Sequence, residues 1–470
     1  MRARSCHRGR AVIRILGRFD VRAQIALLAL LGVYFMVWPV WRAGFPIEIA
    51  QNEGWNAYHA DAAMGAAALY PATDTLIVNN YPPLSFYAVG TIARVTGVDA
   101  LYVGRALSLL AVVALGGLIA RVIGLLGGGL AGAAVGGLWF IAVMARAFTR
   151  FVGMNDPQLV GHALMVAALA WFLARDARGR SAVPPVLAMA AVGFYKHNIV
   201  AVPVTALLWL AIHDWRRALW PCIAGAGAAA AGLLICMALY GDVFLANLLT
   251  SRPSHIMRAV NGLGRLQWIL PALVLWAIWV AAEPKNRAAQ FTMIHVGVAF
   301  VAYLLQWSGE AILDNAQFDL VIATAIGLGL AFDRAGQTAF GRRHGETAAR
   351  AVITLVVVVR LVATLRIESA LVLFDPGYRA HYYANAEAAR QDAARIAGIP
   401  GPVACDFKVI CRLAGKPFSY DDFRAEMLVA SGASGGLDER GLMRAHGLTY
   451  VRNDDRGGIV VLFRSLAGQP

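Results

Sequence analysis

Apolar residues gather into eleven stretches, near 24–44, 101–121, 128–147, 157–174, 183–196, 198–212, 217–240, 267–282, 290–307, 317–333 and 350–367. About 20 apolar residues cross a bilayer core, with latitude for tilt and for shorter helices. The pattern predicts an α-helical integral membrane protein of about eleven spans, of which 183–196 and 198–212 are the shortest. Between the first two spans the pattern breaks. Residues 45–84 read FPIEIAQNEGWNAYHADAAMGAAALYPATDTLIVNNYPPL, a polar, aromatic and acidic run. Connections in compact domains have a median of about 4–6 residues, and much longer ones are usually functional or disordered. The Trp, Tyr and Pro content argues against disorder, so an ordered functional loop is expected. Residues 82–97 are apolar but short and open on two prolines. They are expected to form a helix in or near the outer membrane interface.

From about Asp375 the pattern changes again. YYANAEAARQDAARIAGI predicts an amphipathic helix, and GPVAC, LTYVRN and GGIVVLF predict short strands around turn signals at Asp454–Gly458. The expected organisation is a basic N-terminus (1–23), a transmembrane domain (24–368) with a first outer loop at 45–100, and a small extra-cytoplasmic α/β domain (369–470). No long-period repeat is visible, which weakens solenoid and repeat-transporter readings.

Composition agrees with the spans: of 470 residues, 59% are hydrophobic and only 15% charged, against about 25% charged in soluble domains. The net charge of +14 invites a nucleic-acid partner, but the charges are in the wrong places for one. Arg2, Arg4, Arg8, Arg10, Arg14, Arg18 and Arg22 precede the first span, as the positive-inside rule requires of a cytoplasmic N-terminus. That orientation also puts the basic connections 121–129, 175–180, 213–217, 283–287 and 333–350 inside. The outside receives 45–100, Arg146–Asp156, Lys196–Asn198, Gly241–Arg265, Ser308–Ala316 and the tail. Counting 82–97 as a further span would invert everything downstream. A bacterial inner (plasma) membrane is the expected location, with the site and the tail on the periplasmic or extracellular side. A cleavable signal is disfavoured, because the basic stretch is long and Val40 to Phe45 offers no small-residue cleavage site. The five cysteines have no metal-binding spacing. Cys222 and Cys236 lie in apolar spans and read as packing residues. Cys405 and Cys411 can pair only if the chain reverses between them, since an extended strand would hold them about 20 Å apart.

Several polar residues carry candidate chemistry. Glu53, flanked by Asn52, Trp55, Asn56, Tyr58, His59 and Asp61, suits a general base or a metal ligand; solvated loop charges and interface aromatics are the plainer reading. Asp156 precedes Pro157, which also makes it an ideal helix N-cap. Arg146, Arg150 and Asn155 share its loop, and arginines on the outside run against the charge bias unless a phosphate pairs with them. His162 reads as a satisfied core histidine. Lys196 and His197 interrupt an apolar stretch in YKHN, where an ionisable group at membrane depth is a functional candidate; a lysine there can also snorkel to the surface. Arg252, His255 and Arg258 are outer cations. Glu310, Asp314, Asn315 and Asp319 form an outer polar group, each member reading singly as a solvated loop residue.

This constellation resembles the GT-C superfamily, multi-span glycosyltransferases that use polyprenyl-phosphate sugars, including protein O-mannosyltransferases and the aminoarabinose and galacturonosyl transferases of lipid A. The resemblance covers roughly residues 25–330. It is carried by Glu53 in the first outer loop, by Gly65 to Tyr70 (G-x(4)-Y), by the tyrosine–proline–proline–leucine run Tyr81 to Leu84, by Asp156 opening a span, and by Lys196. It implies a GT-C-like helical bundle and transfer of a sugar from a polyprenyl-phosphate donor to an acceptor glycan, lipid or protein, with Glu53 and Asp156 catalytic. The substrate-binding set it implies is Asn52, Trp55, Tyr58, His59, Tyr81, Arg146, Arg150, Asn155, Lys196 and His197. Many relatives have Asp, or Asp-Glu, where this chain has Asn52–Glu53, which leaves the base and the metal open; Glu53 and Asp156 are the ligands if a divalent cation binds. The competing reading is a transporter or flippase of a lipid-linked or anionic solute. A soluble nucleotide-sugar enzyme is disfavoured, because the loops expected inside are short and lack a Gly-rich nucleotide fold.

Overall fold

The computed structural model describes residues 20–250, 253–310, 312–363 and 366–451. Arg2 to Arg18, Arg252 and the expected turn and strand at 454–463 lie outside the described residues. Among those described, seven helices are long and apolar enough to cross a bilayer: Val21–Arg42, Ala100–Leu125, Leu130–Ala147, Gln158–Asp176, Ala201–Tyr240, Arg287–Trp307 and Asp314–Asp333. The pair Ile256–Trp268 and Leu270–Ala282, bent by 85°, makes an eighth if it counts as one span.

The remaining apolar stretches are helical too, but short or broken. The stretches 198–212 and 217–240 remain two helices: Ala201–Tyr240 is broken at Asp214, whose backbone is extended (φ −161°, ψ 98°). Its carboxylate then accepts from the Arg216 N–H and caps the second half. The 183–196 stretch condenses to Val183–Gly193, 11 residues opening on prolines. The last stretch becomes Glu346–Val362, 17 residues that include Glu346, Arg350 and Arg360.

Asp314–Asp333 is the axis of the bundle, 94% buried. Its close neighbour is Leu130–Ala147, and glycines let the two backbones touch: a Cβ on Gly132 would fall 2.2 Å from the Gly329 carbonyl. The first loop is ordered around this frame. It forms the helix Asn52–Ala63, an extended run, and the helix Leu84–Thr96, which closes at Gly97 with φ +73°. Leu84, Tyr87, Ile92 and Val95 are exposed along that second helix, as suits a helix lying in an interface.

The tail opens with the helix Pro376–Ala397, capped by Asp375. The GPVAC segment supplies strand Val403–Cys405, which pairs in parallel with Thr449–Val451, Val403 opposite Thr449. Between the strands lie helices Lys408–Leu413, Asp422–Ala430 and Glu439–Ala445. The chain does reverse after Cys405, bringing its Cα to 6.4 Å from that of Cys411, and the two are disulfide-bonded.

Candidate active site

Glu53 sits in the first turn of Asn52–Ala63, wholly buried. Its partner is Arg105, in the second turn of the next span, Ala100–Leu125, and likewise buried. The guanidinium Nε donates to Oε1 at 2.9 Å and Nη2 to Oε2 at 2.7 Å. The backbone N–H of Ile49 (2.6 Å, to Oε2) and that of Asn155 (2.8 Å, to Oε1) complete the set. A carboxylate has about four acceptor positions, and all four are filled. Arg105's three remaining donor positions go to the carbonyls of Ala43, Phe45 and Ile47. The pair is closed on itself: it ties the end of the first span, the first loop and the Asn155 loop together, and Glu53 lines neither large cavity.

The polar chamber lies beside it. A cavity of about 560 Å³ is lined by Asn52, Trp55, Asn80, Tyr81, Lys196, His197, Asn198, Gln306 and Asn315, and by Asp421, Asp422 and Glu426 from the tail. One wall is a continuous strip. The Lys196 ammonium lies 3.0 Å from the centre of the Tyr81 ring, Tyr81 packs on Trp55 at 4.9 Å, and Trp55 Nε1 donates to Asp421 Oδ2 at 3.0 Å. A cation therefore stands at one end of an aromatic floor and a carboxylate at the other. Burial pushes the Asp421 carboxyl up to about 7, against the pull of Lys408.

A second cavity, of about 440 Å³, is almost wholly apolar and runs between Val183–Gly193 and the two halves of Ala201–Tyr240. His197 and Leu248 line both cavities, so they adjoin. The Y-P-P-L run straddles the junction, with Tyr81 in the polar chamber and Pro82 in the apolar one. It is anchored by a hydrogen bond from the Leu84 N–H to the Phe194 carbonyl at 3.1 Å. Gly65 and Tyr70 have local reasons too. Gly65 ends its helix at φ +98°, and the Tyr70 hydroxyl donates to the Tyr81 carbonyl at 3.0 Å.

Asp156 faces elsewhere. Its Oδ1 accepts from the Gln158 N–H at 2.8 Å, but the helix begins at Gln158 with Pro157 as its N-cap, so Asp156 sits one residue before the position expected from the sequence. Its Oδ2, with Asn56 Oδ1 and Ser85 Oγ, is buried without a partner among the described residues. These three residues line one cavity of about 10 Å³, the size and polarity of a site for a single water. Burial pushes the Asp156 carboxyl up while nearby Lys196 pulls it down.

Of the other expected site residues, Asn155 borders the small cavity, and four lie on neither large cavity. Tyr58 stacks on Phe418 and donates to the Lys416 carbonyl. His59 is buried against Trp55, Phe86 and Phe418, and burial pushes it down to about 3, so it is neutral. Arg146 donates to the Leu361 carbonyl and covers Trp268. Arg150 is exposed on the turn Thr149–Phe151. His162 meets Asp319 at 3.5 Å; that carboxylate is buried, where a solvated position is expected from the sequence.

No protein-family model matches the chain, and no curated protein matches it. Solved structures do. ArnT from Cupriavidus metallidurans in its apo state superposes with a TM-score of 0.55 at 15% identity, over 88% of this chain and 89% of that one. The same protein bound to undecaprenyl phosphate gives 0.54, also at 15% identity over 88% and 89%. The Archaeoglobus fulgidus oligosaccharyltransferase tethered with an acceptor peptide gives 0.52 at 10% identity, over 87% of this chain and 64% of that one. The chain has a GT-C-like fold. Within this GT-C-like frame, Arg105, Glu48, Lys408 and Asp421 are the residues sequence reasoning misses. Arg105 has a signal, a lone arginine near the start of an apolar span. The other three have none: Lys408 and Asp421 reach the first loop only when the tail docks, and Glu48, already in that loop, is buried by the same docking.

Proposed function

We propose that this protein is a membrane glycosyltransferase that moves a sugar from a polyprenyl-phosphate donor to an acceptor glycan, lipid or protein on the outer face of the membrane. The observation that carries the reading is the junction at His197 and Leu248, where a polar chamber adjoins an apolar groove. A lipid-phosphate sugar has that same division. The structural likeness to ArnT bound to undecaprenyl phosphate supports the choice of carrier.

The prenyl chain occupies the groove, the phosphate rests by Lys196 and His197, and the sugar lies over Tyr81 and Trp55. An acceptor hydroxyl oxygen attacks the anomeric carbon, the bond to the phosphate oxygen breaks, and that oxygen leaves with the electron pair. Lys196 stabilises the charge that develops there, an electrostatic contribution that is often the largest in catalysis. The hydroxyl proton goes to a carboxylate. One suffices, since phosphate is already a competent leaving group, whereas ordinary glycosides need a second carboxyl as acid. The sequence points to Glu53 as that base, but its acceptor positions are filled by Arg105 and two backbone N–H groups. Asp421 lines the chamber and is poised near neutrality, so the base is assigned to it. Glu53 becomes the residue that holds the loop, and Asp156 holds the small polar cavity beside Lys196.

The test uses purified protein in liposomes with radiolabelled polyprenyl-phosphate sugars. Transfer is expected, with K196A slower by about 10²–10³-fold. D421N is expected to be slower by about 10²-fold while its thermal stability stays near wild type. Uptake of label into vesicles without any glycosyl product would replace this reading with the transporter.

A further inference from the structure

A divalent cation held between Glu53 and Asp156 is what the first outer acidic residues of this fold class invite. The residues present do not fit it. Both Glu53 oxygens are saturated by Arg105, Ile49 and Asn155, and all five guanidinium N–H groups of Arg105 are in turn committed. A metal reaching Glu53 would have to displace a buried arginine and leave three backbone carbonyls without their donors. Asp156 offers one oxygen, with Asn56 Oδ1 and Ser85 Oγ, at a cavity of about 10 Å³. That is three oxygens and one negative charge, where Ca²⁺ takes about 6–8 oxygens and Mg²⁺ an octahedron. Among the described residues, no three His, Cys, Asp or Glu side chains gather as metal ligands.

We infer that Arg105 occupies the place of a divalent cation beside Glu53, so that the site carries its positive charge as a resident guanidinium and works without bound metal. Arg105 is a positioning residue in this scheme: it touches no chamber residue except through Glu53 and the loop it gathers. A guanidinium suits that task because it is planar, always charged and able to hold a carboxylate with two parallel bonds. The Asn56–Ser85–Asp156 cavity is left to a water, which can donate to the two acceptors and accept from the hydroxyl. The inference rests on the glycosyltransferase reading only for its enzymatic arm.

The experiment has two readouts. Mn²⁺ titration of the full-length protein in detergent, followed by electron paramagnetic resonance, is expected to show no stoichiometric site. Exhaustive chelation is expected to leave sugar transfer within about twofold of the untreated rate, with no gain on adding Mg²⁺ or Mn²⁺. R105Q removes the charge and frees Glu53, and it is expected to acquire Mn²⁺ binding, a gain that a purely structural arginine would not produce. If R105Q does not fold, the wild-type titration decides alone. A stoichiometric Mn²⁺ site in wild type overturns the inference, as does a loss of transfer of about 10-fold or more on chelation that Mg²⁺ or Mn²⁺ restores. Absence of transfer before and after chelation counts against the enzymatic reading instead, and the titration still decides the question of the cation.

Discussion

A buried ion pair is judged by what happens when half of it is removed. In E53Q the Arg105 guanidinium stays buried without its counter-charge, and breaking a buried pair this way costs about 3–5 kcal/mol. E53Q is therefore expected to unfold at a clearly lower temperature than wild type, so that a loss of transfer in E53Q reports collapse of the loop and says nothing of a base. A thermal scan of E53Q matching wild type would remove the keystone role. Gly104 is under a comparable constraint. It precedes Arg105, and a Cβ there would lie 1.7 Å from Asn155 Oδ1, so G104A must push away the residue whose N–H feeds Glu53. An overpacking cost of about 1–3 kcal/mol is expected, read as a lowered unfolding temperature. At this scale the sequence was half legible. Glu53, Asp156 and Lys196 stood out because charges are scarce near the spans. Their partners did not: which donor fills a carboxylate depends on how a loop folds back over the span behind it.

The same limit holds for elements. The amphipathic helix of the tail and its GPVAC strand were readable from period and turn signals, but the contacts between tail and first loop were not. Arg412 reaches Asp61 at 2.6 Å and Asp99 at 2.8 Å. Lys408 pairs with Asp422, and Gly54 packs directly on the Lys408–Val409 backbone. A Cβ on Gly54 would sit 2.5 Å from Lys408 Cβ and 2.6 Å from the Val409 nitrogen. G54A is therefore expected to loosen the docked tail and slow transfer by withdrawing Asp421 from the chamber. The check is faster proteolysis of the tail in G54A than in wild type. Glu48 makes the junction pH-sensitive. It accepts from the Gly54 and Val409 N–H groups at 3.3 Å, and burial pushes its carboxyl up to about 8, with Lys408 opposing. A raised folded-state value means the contribution is fully present below the unfolded value, near 4, and is lost as pH rises through about 8. Amide hydrogen exchange in Lys408–Leu413, corrected for intrinsic rates, should accelerate between pH 6 and pH 9 (~3 units, spanning that transition), and E48Q should flatten the response. Protection equal at both pH values in wild type would refute it.

At the scale of the whole molecule, the apolar pattern revealed the bundle but not its hollow. The groove is walled by residues as far apart as Pro82, Val186 and Leu233, and no single helix shows that it stands off from its neighbours. The charged HDWRR connection was legible, and the chain does break there: extended backbone at Asp214 divides Ala201–Tyr240 into two helices. The hollow yields the most direct test of the carrier. Each buried methylene of a prenyl chain contributes about 0.8 kcal/mol, and every 1.4 kcal/mol is about tenfold in affinity. Filling the groove should therefore penalise long-chain donors in proportion to the chain it excludes. Ala229 lies on the groove wall, away from Lys196, Tyr81 and Asp421. A229W is expected to raise KM for a long polyprenyl-phosphate sugar by about 10–100-fold with kcat little changed, because only uniform binding is lost. A donor whose lipid is truncated to about one or two isoprene units should bind weakly to both proteins and not distinguish them. Equal KM values for the long donor in wild type and A229W would place the lipid outside this groove. A matched fall in kcat with both donors would mean instead that the substitution had disturbed the chamber.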